Sequence, residues 1–200
     1  MRHLSDAGSR IAVGALFALL TISLVHDFVQ TGHVTGLLFI ASESLVVVLT
    51  VVRRHAPLVD RTAAARLATA ASLAGPMLLR PMGDNLVSDA LTTSITAAGV
   101  ALVVLGKATL GRSFGLAPAN RGVVVRGPYR VVRHPIYAGY LIAHAGFLLA
   151  HPAWANVGLA VVSDAALVVR AFMEERVLST DAAYRSYCAR VSWHLVPGVF

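Results

Sequence analysis

The sequence predicts an all-α integral membrane protein of about six transmembrane helices, or five if one leg is re-entrant. Three observations carry that prediction. Hydrophobic residues make up 56% of the 200-residue chain against 14% charged, with a mean hydropathy of +0.70. The apolar residues are gathered in long runs rather than dispersed. The basic residues fall between alternate runs, as they do where cytoplasmic loops carry the excess of Lys and Arg. Together these exclude a soluble globular domain. The formal charge of +7, from 17 Lys+Arg and 10 Asp+Glu, forms no basic stripe, so membrane lipid phosphates are the expected anions and nucleic acid is not an expected partner. One cysteine, Cys188, excludes an internal disulfide and a cysteine-based metal site.

The runs lie at roughly 11–29, 34–52, 63–80, 86–106, 135–150 and 153–173, against about 20 residues needed to span a bilayer. The first follows Arg2 and Arg10 as a signal peptide would. It is longer than a signal core, and His26-Asp27-Phe28-Val29-Gln30 after it offers no small-residue cleavage site, so it is expected to stay attached. The 135–150 run is short and forms a hairpin with 153–173 around His151-Pro152, where proline stops the helix. Six crossings put both termini on the cytoplasmic side together with 16 of the 17 basic residues, leaving only Arg80 opposite. Five would divide them 12 to 5. The cell membrane is the expected location. The chain divides into N-terminal transmembrane helices, 1–106, and a C-terminal half, 107–200, of cytoplasmic loop, helix hairpin and amphipathic tail.

Polar chemistry is concentrated in that second half. The connection from Gly106 to His134 is long, and long loops in compact domains are usually functional or disordered. Its glycines, with Pro118 and Pro128, predict irregular backbone, and Val123-Val124-Val125 a short extended piece. No acid occurs between Asp89 and Asp164. Lys107, Arg112, Arg121, Arg126, Arg130 and Arg133 are therefore expected to be unpaired locally and to await an anion; for Arg112 and Arg121, lipid phosphate is the plain alternative. In Arg133-His134-Pro135-Ile136-Tyr137-Ala138-Gly139-Tyr140, proline opens a helix at its first turn, placing His134 at the cap and free N–H groups just beyond, a ready anion site. An interfacial helix start with tyrosines at headgroup depth explains the same pattern. Arg170 and Glu174 stand four apart on one helix face, as simple pairing also requires, with Glu175 beside them. Tyr184, Tyr187 and Val191 repeat at helical spacing and read as an amphipathic helix lying on the membrane or closing over a site.

Glu43 and Asp164 fall inside spans, where ionisable groups are costly; interhelical hydrogen bonding is the plainer reading of Asp164, and an interior histidine that of His144. No metal site is expected, because the eight histidines contain no H-x-x-x-H pair with carboxylate support.

Gly127-Pro128-Tyr129, Arg133-His134-Pro135-x-Tyr137-x-Gly139, Arg170-x-x-x-Glu174-Glu175-x-x-Leu178 and Tyr184-x-x-Tyr187 together resemble the isoprenylcysteine carboxyl methyltransferase family, whose general pattern phospholipid methyltransferases share. The resemblance covers about residues 106–197. It implies a membrane-embedded methyltransferase that binds S-adenosylmethionine in a cytoplasmic pocket made by the C-terminal hairpin and tail, acting on a lipophilic carboxylate or thiol. The absence of a G-x-G-x-x-G strand-to-helix turn is consistent with it. By motif position, Arg121, Gly122, Val123, Val124, Tyr129, His134, Pro135, Ile136, Tyr137 and Glu174 are implied to contact the cofactor, and Arg170 to stand near the reacting group. The departure at Arg121, where the eukaryotic pattern has histidine, touches substrate identity more than cofactor identity. Two other classes compete. A membrane sterol reductase would use NADPH, for whose phosphates the six-cation loop is suitable. A non-enzymatic transport or assembly protein would bind no cofactor.

Overall fold

The computed structural model describes residues 34–200, with side chains from Ile40 onward, and ahead of them isolated helical positions between Ile11 and Val29. Most of the expected first span, and the arginines before it, lie outside the described residues. Six helices follow: α1 (Val34–Val52), α2 (Ala63–Leu78), α3 (Asp89–Leu110), α4 (Pro135–Ala150), α5 (Trp154–Leu178) and α6 (Ala182–Cys188). Among the described residues there is no strand, only one antiparallel bridge between Val59 and Ala119. Two 25-residue stretches, Asp89–Ser113 and Trp154–Leu178, are long and apolar enough to cross a membrane, whereas Ile40–Val52 and Pro135–Ala150 are shorter.

Each helix begins and ends where local chemistry requires. Thr62 caps α2 by accepting from the Ala65 N–H at 3.2 Å. Gly111, at φ +52° and ψ −125°, takes a conformation open to glycine that stops α3. Pro135 stands at the first position of α4, where its missing N–H costs nothing. The α4–α5 hairpin turns at His151-Pro152 as expected, and Asp181 caps α6 by accepting from the Ala183 N–H at 2.9 Å.

α3 packs most extensively against α4, and on another side against α1; α2 packs against α5. The α3–α4 contact depends on missing side chains. A Cβ at Gly99 would meet the Ala143 nitrogen at 2.5 Å, and one at Gly139 would meet the Gly99 carbonyl oxygen at 2.7 Å. Backbones this close gain van der Waals contact where lipid supplies no hydrophobic drive between helices. α4 and α5, although consecutive, touch far less. Polar pairs cross the seam between them instead.

The long connection departs from expectation at its start. α3 runs on to Leu110, so Lys107 is helical rather than part of the loop, and only 1% exposed. Its ammonium donates to the Ser42 hydroxyl at 2.8 Å and stands 3.8 Å from the Glu43 carboxylate. A lysine buried among apolar helices needs such a partner, and Glu43 of α1 supplies it. The remainder of the connection is irregular and held to the α1–α2 loop by backbone hydrogen bonds, Arg54 N–H to Arg112 O at 2.7 Å and Asp60 N–H to Pro118 O at 2.9 Å.

The glycine contact is testable. Gly139→Ala should lower the melting temperature in detergent by an amount corresponding to about 1–3 kcal/mol of overpacking. Gly158→Ala, where a Cβ meets nothing within 4 Å, should leave it unchanged or raise it slightly. Equal melting of the two variants would show that the close approach is unimportant.

Candidate functional site

Where α4 begins and α5 ends, a pocket of about 950 Å³ including its open mouth sinks into the bundle. One wall is His134 with Ile136, Tyr137 and Tyr140 of α4, and the facing wall is Arg170, Glu174 and Leu178 of α5. The connection before α4 supplies Gly115, Arg121, Gly122, Val123, Val124 and Tyr129; α2 contributes Leu73, and α6 Tyr184 and Tyr187.

Arg170 is the most constrained charge in this pocket, at 4% exposure. One terminal nitrogen donates to the Ser72 hydroxyl at 2.8 Å and the other to the Leu116 carbonyl at 2.7 Å. The guanidinium carbon lies 5.2 Å from the Tyr137 ring centroid, and Glu174 stands 3.7 Å away. Its Nε is buried without a hydrogen-bond partner. A fixed, charged donor with N–H groups left over, in a pocket wall, suits a ligand oxygen.

The two carboxylates after it divide the work. Glu174 accepts from the Tyr137 hydroxyl and lies 4.0 Å from His134 Nδ1. Glu175 faces the other way. It accepts from Arg133 Nη1 at 3.1 Å and pairs with His134 Nε2 at 2.9 Å and His194 Nδ1 at 2.7 Å. Backbone bonds run alongside, Arg133 N–H to Trp193 O and His134 N–H to His194 O, both 2.9 Å. Glu175 therefore ties α5, the start of α4 and the C-terminal tail together. It is occupied by these three donors.

The first turn of α4 leaves the Ile136 and Tyr137 N–H groups without an intrahelical partner, since the first helical bond runs from Ala138 N–H to His134 O at 3.0 Å. The Gly115 Cβ position is filled by the Arg121 guanidinium; only glycine there lets Arg121 lie inward, where it is 9% exposed. Burial pushes the phenols of Tyr129, Tyr184 and Tyr187 up. These three stay protonated and offer neutral donors and aromatic faces, not bases. The Tyr187 hydroxyl is spent on the Tyr129 carbonyl at 2.7 Å. Burial likewise raises the Cys188 thiol, leaving it little thiolate.

The residues singled out by sequence therefore meet. Arg121, Gly122, Val123, Val124, Tyr129, His134, Ile136, Tyr137, Arg170 and Glu174 share one pocket, while Pro135 is buried behind it at the helix start. The expectation of six unpaired loop cations does not hold: Lys107 pairs with Glu43 and Arg133 with Glu175, because the acids that serve them are distant in sequence and close in space. Ser72, Leu73 and His194 carried no local signal. Each is an ordinary residue in its own segment, and only helix packing brings it to the site.

Glu175→Ala should remove the shared acceptor of three donors at a cost of about 3–5 kcal/mol if the site stays buried. Hydrogen exchange at the Arg133 and His134 amides should then accelerate strongly, since their acceptors lie in the tail that Glu175 holds. Unchanged protection at those two amides would show that the tail is held by something else.

No curated protein matches the chain. The stretch from residue 90 to 185, which holds nearly all of α3, the connection, α4, α5 and the first turn of α6, matches the family described as Phospholipid methyltransferase (PEMT). Across that stretch, which includes the two helices apolar enough to span a bilayer and most of the pocket wall, this protein is similar to a family of membrane methyltransferases.

Proposed function

We propose that the protein is an S-adenosylmethionine-dependent methyltransferase that modifies a lipophilic acceptor, a carboxylate or thiol of isoprenylcysteine-like character, at the cytoplasmic face of the cell membrane. The observation that carries the reading is the Arg170–Glu174–Tyr137 cluster on the pocket wall, inside the stretch similar to the methyltransferase family. The six-crossing topology with both termini cytoplasmic is part of the proposal and rests on the distribution of the 17 basic residues.

The residues present fit the cofactor's charges. The free N–H groups of Ile136 and Tyr137 at the start of α4, with Arg121 nearby in the wall, suit its carboxylate. Glu174 suits its ammonium or ribose hydroxyls. Tyr129, Tyr184 and Tyr187 supply faces for its adenine and sulfonium. When bound, the cofactor supplies an electrophilic methyl group on a sulfonium. The chain's own work is then positional: Arg170, held rigid by Ser72, Leu116 and Glu174, orients an anionic acceptor, and the apolar walls exclude water. Orienting two reactants and drying the site accounts for a large share of rate in displacements where opposite charges are consumed. No covalent intermediate on the protein is required.

The NADPH reading is weakened on one point. It drew on six loop cations for the extra phosphates, and Lys107 and Arg133 are already committed to Glu43 and Glu175.

Calorimetry on detergent-purified protein should show binding of S-adenosylmethionine and no comparable binding of NADPH; the reverse result would sink the proposal. Glu174→Ala should weaken cofactor binding about tenfold or more, as loss of a charged hydrogen bond of about 1.5–3 kcal/mol implies. Arg170→Lys keeps the charge but loses the fixed fork. It should bind cofactor within about threefold of wild type while turnover falls roughly a hundredfold, the scale of removing one oriented charged donor. If both variants lose cofactor affinity alike, the division of roles between the two residues is wrong.

A further inference from the structure

One group on the pocket wall has no task in the site as built so far. His134 lines the pocket and is 7% exposed. Its ring stacks on that of Tyr137, with centroids 5.4 Å apart and planes 7° from parallel, and the Arg170 guanidinium carbon is 5.2 Å from the same Tyr137 ring. The imidazole and the guanidinium thus adjoin one aromatic ring, on the wall where an acceptor would be held.

The two ring nitrogens are differently placed. Nε2 lies 2.9 Å from Glu175 Oε1, and a carboxylate oxygen at that distance needs a donor. A proton on Nε2 answers it, and in the neutral ring this leaves the lone pair on Nδ1. Glu175 is itself fixed by Arg133 at 3.1 Å and His194 at 2.7 Å, and the His134 N–H is bonded to the tail at His194 O. The ring cannot turn without breaking this set. Nδ1 makes no hydrogen bond among the described residues: the side chain does not cap α4, and the Glu174 oxygen facing it, Oε2, is 4.0 Å away and also an acceptor. An imidazole oriented through one nitrogen by a carboxylate, with the other open to a pocket, is placed to take a proton from what the pocket holds.

Glu174 is the competing acceptor, since its Oε2 makes no hydrogen bond. Its other oxygen accepts from Tyr137 and lies 3.7 Å from Arg170. Between the two types of group, an ordinary imidazole binds a proton about a hundredfold more tightly than an ordinary carboxylate. A lipophilic acceptor that enters from hydrocarbon does so uncharged, because a bare charge there is costly. A thiol or phenol must then lose its proton inside the site.

We propose that His134, positioned by Glu175, is the proton acceptor for a neutral, weakly acidic lipophilic substrate, a thiol or phenol; as a catalytic role this rests on the methyltransferase reading. The substrate's S–H or O–H bond breaks and its proton goes to His134 Nδ1, giving an imidazolium flanked by Glu175 and Glu174. The freed electron pair forms the bond to the methyl carbon, and the pair of the cleaved carbon–sulfur bond stays on the departing thioether. An acceptor that arrives as a carboxylate needs no such base. His134 thereby narrows the substrate class to groups deprotonated in place, with Arg170 meeting the anion that results.

The test uses a chromogenic probe and no cofactor. A 4-nitrophenol carrying a long alkyl chain is added to the full-length protein in detergent, buffered below the phenol's own titration midpoint in that detergent. Wild type should raise the bound phenolate-to-phenol ratio about tenfold over empty micelles, the effect of one pK unit. Nitrogen magnetic resonance of isotope-labelled histidines should show one Nδ1 signal, absent from His134→Gln, that is unprotonated before the probe is added and protonated after. His134→Gln keeps an amide donor for Glu175, so it should melt close to wild type and yet lose the phenolate rise. Glu175→Gln, a positioning variant, should still bind the probe while the free-state His134 signals become those of mixed tautomers. A His134 Nδ1 already protonated in the free protein, a phenolate rise without change at Nδ1, a rise lost in Glu174→Gln and kept in His134→Gln, or no binding of the probe to wild type would each overturn the proposal. Should His134→Gln fail to fold, wild-type spectra in which no histidine Nδ1 gains a proton would overturn it equally. Calorimetry with S-adenosylmethionine on wild type separates the two readings. Cofactor binding without proton transfer to Nδ1 removes this proposal alone, whereas no cofactor binding removes the methyltransferase reading and the catalytic role with it.

Discussion

Glu175 is the constraint on which the C-terminal half depends. A carboxylate this enclosed cannot stay charged without donors, and three come to it from three places: Arg133 before α4, His134 at the α4 cap and His194 in the tail. Each partner is held elsewhere too, Arg133 Nε by the Val191 carbonyl at 2.8 Å and Nη2 by the Cys188 carbonyl at 3.2 Å. The position of one side chain on α5 thereby fixes where α4 starts and how the tail lies across it. The pocket wall at His134 and Tyr137 follows from that, as does the facing of Glu174 toward the pocket, since adjacent residues on a helix point about 100° apart.

The same logic explains why polar residues sit where they do in so apolar a chain. The α3–α4 interface needs none, because Gly99 and Gly139 let backbones meet. The α4–α5 seam lacks that contact and is crossed by Tyr137–Glu174, His134–Glu175 and His144–Asp164. At the opposite end, Asn156, 1% exposed, is bonded on both faces: its amide donates to the Arg80 and His151 carbonyls at 2.8 and 3.0 Å, and its oxygen accepts from the Arg80 N–H at 3.2 Å. In surroundings that offer backbone and side chains little water, such pairs replace the hydrophobic term as the means of specifying which helices adjoin.

Much of the helix layout was legible in sequence. The runs at 34–52 and 135–150 coincide with α1 and α4, and the hairpin turn stands at His151-Pro152, since apolar length and proline are local properties. The connection was misread at Lys107 because a lysine after an apolar run looks like a terminus; its partner Glu43 lies 64 positions earlier, and no periodicity joins them. The candidate site was legible as motifs but not as geometry. Arg133-His134-Pro135 and Arg170-x-x-x-Glu174-Glu175 announce two helix ends, yet Ser72, 98 positions from Arg170, and His194 show no sign of their role until the helices pack.

The division of labour in the pocket follows from what is left unpaired. Every acid at its mouth has donors, and the titrating phenols outside the spans are held neutral by burial. Uncommitted hydrogen-bonding capacity is therefore informative where it occurs: Arg170 and the first-turn N–H groups of α4 offer donors, and His134, held by Glu175 through Nε2, has its Nδ1 open on the pocket wall. Two of those are suited to holding anions and one to taking a proton. A site with this complement is suited to a substrate whose charge becomes more negative on the way to reaction and is then neutralised, which is the course the proposed methyl transfer requires. Methyl transfer from a sulfonium to a deprotonated sulfur or oxygen has that course of charge, and hydride delivery from a nicotinamide does not require it.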